Sequence, residues 1–298
     1  MPRTYFGAGV SCLNDLTRPS RVVELMRQFD LAPSKGLGQN FLVDRHALTK
    51  IVDAAEIDSG DTCLEIGPGL GTLTRELADR ARMVIAIEKD KKLTPVLAHT
   101  LSPYSNIKMH FADALQVDIA LLLAESTPPF KVVANLPYYV TTPLVMALLE
   151  SAVPFQRLVI LVQKEVAERM SATPEKGDYG ALSVAVQYYS EVSIVAKIAP
   201  NSFFPPPKVA SNVVLLKKRA NPAAYHGAKD PELLFRFIRA AFGQRRKTLQ
   251  NALSQGLEMP RSDVQALLQK CSIPENARGE TLDIKDFVAL ANTALEQN

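Results

Sequence analysis

From about Gly36 onward, short apolar runs alternate with amphipathic stretches. Thr62–Ile66, Met83–Glu88, Ile107–Phe111, Lys131–Asn135 and Leu158–Val162 read as buried strands. Between them, Thr72–Arg80, Lys91–Thr100 and Pro143–Ser151 carry the three- and four-residue spacing of helices. Alternation of this kind predicts an α/β fold, a mostly parallel sheet with helices on both faces. Two further runs, Leu182–Val195 and Val209–Lys217, predict an antiparallel hairpin closing one sheet edge. They are joined by Pro200–Pro207, where consecutive prolines require a loop.

The two ends of the chain behave differently. Residues 1 to about 30 show weak periodicity and read as a partly loose extension. Ala220–Pro231 reads as a linker, and beyond it the pattern is wholly helical. Leu234, Phe237, Ile238, Ala241 and Phe242 share one helical face, as do Val264, Leu267 and Leu268. The expected organisation is an extension over 1–34, an α/β domain over 35–220 and a small all-α domain over 221–298. The last is small for an independent core and is expected to pack on the second.

Composition narrows the class only slightly. Hydrophobic residues are 47% of the 298, enough for a sizeable core, and 34 Lys+Arg against 31 Asp+Glu give a net charge of +3. That balance permits a polyanionic partner without requiring one. Cys12, Cys63 and Cys271 lie far apart, as do His46, His99, His110 and His226, so no metal site or disulfide framework is expected. The first residues lack a basic start followed by an apolar core, and no apolar run reaches the ~18 residues of a membrane span. A cytoplasmic protein with no membrane partner is the expectation.

The first chemical signal is Glu65-Ile66-Gly67-Pro68-Gly69-Leu70-Gly71, between a strand and a helix. Glycines there let the backbone turn sharply and approach a ligand. Twenty-one residues after Gly67, Glu88 ends the next strand, where a carboxylate can accept both hydroxyls of a ribose. A plain strand–helix turn with a surface Glu would look the same. The spacing, however, is G-x-G-x-G, with Thr72 where a dinucleotide enzyme needs its third glycine. Glu65 also supplies an acid just ahead of the turn. S-adenosylmethionine has no pyrophosphate to cradle, and such an acid can help hold its ammonium end. Asp113-Ala114 follows the third strand, where the carboxylate could accept from the cofactor's adenine amine or merely cap a helix.

Asn135-Leu136-Pro137-Tyr138 ends the fourth strand and so faces the same cleft as Gly67 and Glu88. An adenine amine is a poor nucleophile because its lone pair is delocalised into the ring. The Asn135 side-chain carbonyl and the Leu136 backbone carbonyl can each accept one N–H and draw the nitrogen toward tetrahedral geometry. Pro137 stiffens the loop, and Tyr138 offers a face for the extruded base. An ordinary turn after a strand is the plainer account of the same four residues.

Gly38-Gln39-Asn40-Phe41-Leu42, the glycine turn, Asn135–Tyr138 and Phe203-Phe204-Pro205-Pro206-Pro207-Lys208-Val209 together resemble the ribosomal RNA adenine dimethyltransferase family over roughly residues 33 to 255. The resemblance implies a Rossmann-like class I methyltransferase sheet with a small C-terminal helical domain, and S-adenosyl-L-methionine as cofactor. It implies dimethylation at N6 of two adjacent adenosines near the 3′ end of 16S rRNA, within a 30S subunit or its precursor. It also implies that Phe203 stacks on the target base opposite Tyr138, and that Gln39, Asn40 and Leu42 close over the cofactor's methionine end. A monomer is expected.

The helical part supplies an argument for RNA. From Leu233 to Leu257 there is no Asp or Glu, yet Arg236, Arg239, Arg245, Arg246 and Lys247 are present. A solvated helix face is one reading of such a run. Phosphate contact is the other, with Arg245, Arg246 and Lys247 as the expected contacts. Rival functions are a resistance-type 23S rRNA methylase, a DNA adenine methylase, or an assembly factor acting mainly by binding. A nicotinamide oxidoreductase is disfavoured by the missing third glycine.

Overall fold

The apolar runs form strands in the computed structural model, which describes residues 15–138, 140–174, 176–244 and 246–296. Helix α1 (Pro19–Gln28) is followed by the two-residue strand β1 (Phe41–Leu42) and by α2 (Arg45–Ala55). Next come β2 (Thr62–Ile66), α3 (Thr72–Ala78), β3 (Met83–Glu88), α4 (Thr94–Thr100), β4 (Ile107–Phe111), α5 (Ile119–Leu123), β5 (Phe130–Asn135), α6 (Thr141–Glu150) and β6 (Phe155–Gln163). The chain continues through α7 (Lys164–Ser171), α8 (Ala181–Tyr189), β7 (Ser190–Ile198), β8 (Phe203–Phe204) and β9 (Ser211–Lys218). It ends in helices α9 (Pro222–His226), α10 (Pro231–Gly243), α11 (Leu249–Gly256), α12 (Arg261–Lys270) and α13 (Ile284–Leu295).

Seven strands make one mixed sheet in the order β4-β3-β2-β5-β6-β9-β7. The pairs β2–β3, β3–β4, β2–β5 and β5–β6 are parallel. The chain winds outward from β2 through β3 to β4, then returns to the far side of β2 with β5. That reversal opens a crevice at the carboxyl ends of β2 and β5, the usual ligand position in an open α/β sheet. Helices α2 and α3 bury Leu48, Ile51, Val52, Leu73 and Leu77 against Cys63, Val84, Val133 and Val159 of the sheet.

Besides helix α9, which lies within the linker read at Ala220–Pro231, the sequence and structure differ in three places. Leu182–Val195 is not one strand: Ala181–Tyr189 is helix α8, and only Ser190–Ile198 is extended. The run Ala-Leu-Ser-Val-Ala-Val buries Ser183, Val184, Ala185 and Val186 in succession, so no polar face marks the helical period. Its start is set by Ser183 Oγ, which accepts from Gly180 N at 3.1 Å. Second, the proline-rich loop contains strand β8, which pairs antiparallel with β1 through Phe41↔Phe204 and Leu42↔Phe203. Third, the stretch read as a loose extension holds α1, whose Val22, Leu25 and Met26 are buried against Leu70, Val96 and Leu97. Residues 1–14 lie outside the described residues.

Contacts divide the chain into two compact units that do not follow the boundary drawn near residue 220. The first comprises described residues up to 144, with 152–164 and 195–215; the second comprises 145–151, 165–194 and the chain from 216. Segment 165–194 joins the helical unit because α8 is mostly apolar, Ser183 and Gln187 being its polar residues. Val184 and Tyr188 share a core with Phe237, Leu253, Leu268 and Phe287. Helix α10 begins at a Pro in its first turn, capped by Asp230, which accepts from Leu233 N at 3.0 Å.

Candidate active site

The glycine turn is built by backbone geometry that only glycine adopts cheaply. Gly67, Gly69 and Gly71 have φ of +74°, +61° and +89°. Space is as restrictive as torsion at two of them. A Cβ on Gly69 would lie 3.0 Å from the Phe41 ring, and one on Gly71 would lie 2.8 Å from Leu101 Cδ2. Gly71 therefore does not face the cleft; it lets the turn close into α3, with its N–H donating to Pro68 O at 2.9 Å.

The cleft beyond this turn encloses about 1040 Å³, part of it open to solvent. Gln39, Asn40, Leu42, Glu65, Gly67, Gly69, Glu88, Asp113, Ala114, Asn135, Leu136, Pro137 and Tyr138 all line it. Glu88 is buried at the end of β3, and its two carboxylate oxygens accept from Gly69 N at 3.2 Å and Asp90 N at 2.8 Å. Burial raises its pKa, with the Asp90 and Gly69 N–H groups opposing the rise. Glu65 is 1% exposed, and its Oε2 has no hydrogen-bond partner. Burial pushes its pKa up to about 8, the Thr74 hydroxyl opposing and the Glu88 charge adding. Asp113 accepts from Leu115 N at 3.1 Å and pairs with Lys89 Nζ at 2.8 Å, the latter holding its pKa low.

On the other side of the cleft, Asn135 Nδ2 donates to Asn40 O at 3.1 Å. A carbonyl can only accept, so the nitrogen of the amide must face Asn40 and its oxygen must face away. Pro137 O is occupied by Val140 N and the Thr141 hydroxyl, both at 3.2 Å, which fixes the turn into α6. Tyr138 is partly buried, its hydroxyl 2.9 Å from Ser211 Oγ, and burial raises its pKa. The loop carrying Gln39 is braced as well: Gln39 Nε2 donates to Asp90 Oδ2 and its Oε1 accepts from Ser34 N, both at 2.8 Å.

Phe203 does not line this cleft. Its side chain is 3% exposed and packs with Leu42, Leu161 and Val213. Arg245 lies outside the described residues; Arg246 and Lys247 are exposed. Three site residues escaped the sequence reading: Asp90, Lys89 and Ser211. The first two stand in Glu88-Lys89-Asp90, where the clustered charge was the available signal; Ser211 had none. Cys63, buried near the start of β2, has its thiol pushed up to about 12 by burial, so it is no nucleophile. Among the described residues, no cluster of His, Cys, Asp or Glu could hold a metal ion.

The residues of the cleft fit a nucleoside carrying a cationic amino end. Glu88 stands as a carboxylate acceptor, and Glu65 offers an unpartnered buried oxygen. The glycine backbone admits close approach from above β2.

Residues 33–295 match the family model described as ribosomal RNA adenine dimethylase. The chain belongs to that family. It is 45% identical to the ribosomal RNA small subunit methyltransferase A of Alkaliphilus oremlandii, over 94% of this chain and 98% of that one. The enzyme of the same name from Moorella thermoacetica is also 45% identical, over 94% and 99%. Among solved structures, a dimethyladenosine transferase from Plasmodium falciparum superposes with a TM-score of 0.75 at 27% identity, covering 86% of this chain and 98% of that one. The 23S rRNA methyltransferase ErmE gives 0.64 at 30%, covering 85% and 98%. Family membership makes this member an rRNA adenine dimethyltransferase that uses S-adenosyl-L-methionine.

Proposed function

We propose that the chain dimethylates N6 of two adjacent adenosines near the 3′ end of 16S rRNA, within a 30S subunit or its precursor. The observation that carries this reading is the orientation of Asn135. With its nitrogen tied to Asn40 O, its oxygen is the acceptor left for an amine in the cleft.

The cofactor, when bound, supplies an electrophilic methyl group on a sulfonium. Glu88 would accept from the ribose hydroxyls, Asp113 would accept from the adenine amine beside its contact with Lys89, and Glu65 would balance the ammonium end as a carboxylate. Gln39, Asn40 and Leu42 cover that end. In the first transfer Asn135 Oδ1 and the Leu136 carbonyl would each accept an N–H of the target amine and expose its lone pair for in-line displacement. The N–C bond forms as the S–C bond breaks, and the product ammonium gives one proton to solvent. In the second transfer the single remaining N–H keeps one of these acceptors. Tyr138 supports the flipped base on one face. Phe203, now packed away from the cleft, would support the other after the β1–β8 pair shifts. Arg245, Arg246 and Lys247 contact phosphates. The protein acts as a cytoplasmic monomer without metal, and the helical domain from about residue 221 carries the RNA contacts.

The test is transfer of radiolabelled methyl to 30S particles from cells lacking this activity, followed by nucleoside analysis. N6,N6-dimethyladenosine in 16S rRNA is expected. The likeness to ErmE favours one competing reading, methylation of 23S rRNA. Label on 23S rRNA and none on 30S particles would overturn the proposed target.

A further inference from the structure

In the helical unit, α10 and α11 meet along a line that is open on one side. Arg236 and Arg239, one turn apart on α10, border a groove of about 570 Å³ there. Its floor is Ala240 and Gly243 of α10 with Ala252 and Gly256 of α11. The floor is shallow in side chains because the helices touch closely. A Cβ on Gly256 would lie 2.6 Å from the Cβ of Ala240. Gln244 stands at the rim, where its Nε2 donates to Gln255 Oε1 at 2.6 Å. Lys247 Nζ donates to the same oxygen at 3.1 Å, which ties the rim to the basic turn that follows α10.

Three features say what the groove can take. Both arginines are exposed, and among the described residues neither is hydrogen-bonded or ion-paired. No acid occurs from Leu233 to Leu257, so nothing on α11 neutralises them. No aromatic side chain lines the groove, which leaves no platform for a base. Guanidinium forks suit a phosphate, and the small side chains of the floor leave room for it between them. Contacts of that kind position a strand and read no sequence.

We propose that this groove seats the phosphodiester backbone of the substrate RNA, with Arg236 and Arg239 each contacting a phosphate. The proposal rests on the RNA-methylating function above and adds an anchoring place distinct from Arg246 and Lys247.

The test measures binding to undimethylated 30S particles across a salt series, for the wild type, R236Q/R239Q, G243L and R246Q/K247Q. Each phosphate contact contributes about 0.9 to the slope of log affinity against log salt. R236Q/R239Q should therefore flatten the slope by about 1.8. Between about 50 and 200 mM salt the wild type would then lose roughly twelvefold more affinity than the variant. Gly243 has open space around its Cβ position, so leucine there fills the groove while every charge stays. G243L should weaken binding and flatten the slope too, with the unfolding midpoint of each variant checking that it is folded. A slope unchanged in R236Q/R239Q overturns the groove. A flattened slope there with G243L indistinguishable from wild type overturns the seat, since the arginines would then act only as diffuse charge. If R246Q/K247Q weakens binding while both groove variants do not, the groove alone fails. If the wild type shows no salt-dependent binding, the RNA reading fails with it.

Discussion

Replacing Glu65 with glutamine removes a carboxyl that is wholly buried at the end of β2, one oxygen of which has no partner. Burial is the main reason its pKa stands at about 8 and not near 4.5. An acid with a raised folded-state pKa keeps its proton longer in the folded chain than in the unfolded one. Its contribution is therefore neutral below about pH 4.5, costs stability progressively as pH rises toward 8, and levels off above. The gap from 4.5 to about 8, at about 1.36 kcal/mol per pH unit, amounts to on the order of 5 kcal/mol at alkaline pH and on the order of 3 at pH 7. Glutamine has nearly the same shape and never ionises. E65Q should therefore show a stability difference from wild type that grows in its favour from pH 5 to pH 9. Urea unfolding of both proteins at intervals across that range measures it, and the smaller response of Glu88 to losing its charged neighbour is part of the same difference. A difference that stays constant within about 0.5 kcal/mol would refute the reasoning, because it would mean that Glu65 ionises as easily folded as unfolded. The same carboxyl predicts a binding signature. A cationic amino end beside Glu65 lowers its pKa, so cofactor binding at pH 7 should release up to about one proton in wild type and none from this group in E65Q. Calorimetry in buffers of different ionisation enthalpy reads that number directly.

Four other substitutions probe separate parts of the site. Asn135→Ala should lower turnover far more than cofactor affinity; equal losses in both would remove its role at the target amine. Gly69→Ala places a methyl 3.0 Å from the Phe41 ring in left-handed backbone, at a cost of about 1–2 kcal/mol, so cofactor affinity should fall about tenfold or more by equilibrium dialysis. Ser211→Ala deprives the Tyr138 hydroxyl of its 2.9 Å partner, worth about 0.5–1.5 kcal/mol. Its effect should appear in kcat/KM for RNA with cofactor affinity unchanged, and a matching loss in both would indicate a folding defect. Lys131→Met leaves Asp61 buried without the Nζ now 2.6 Å away, so unfolding free energy should drop by about 3–5 kcal/mol.

Much of the sheet was legible because its central strands are buried apolar runs, whereas edge strand β4, read as buried too, has no buried residue. β2, β3 and β4 end where the sequence places them, and β6 is longer because Phe155, Gln156 and Arg157 precede its apolar centre and Gln163 follows it. Asn135 stood out because it closes β5 at the switch in strand order, a position that topology alone sends to the cleft. Helix α8 was illegible for a different reason: a helix buried on every side loses the polar face that reveals its period. Strands of two residues, such as β1 and β8, have no period to detect. The braces of the site were hidden by distance along the chain. Asn135 meets Asn40 across 95 residues, Tyr138 meets Ser211 across 73, and Gln39 meets Asp90 across 51.

Those hidden braces are what join the two halves of the chemistry. The segment from Gly38 to Leu42 lines the cleft, held by Gln39 on Asp90 and by β1 on β8. The same segment presents Asn40 O to the Asn135 amide. Turning the Asn135 amide over would set two carbonyl oxygens against each other and leave a partly buried acceptor unpaired, at a cost of about 1–3 kcal/mol. A flipped amide would offer a donor to an amine that needs an acceptor, so the orientation is chemically decisive. On the proposed mechanism, the loop that would cover the methyl donor also sets the acceptor for the methyl-receiving nitrogen. A disturbance of Gly38–Leu42 should therefore be felt in turnover even where the cofactor still binds.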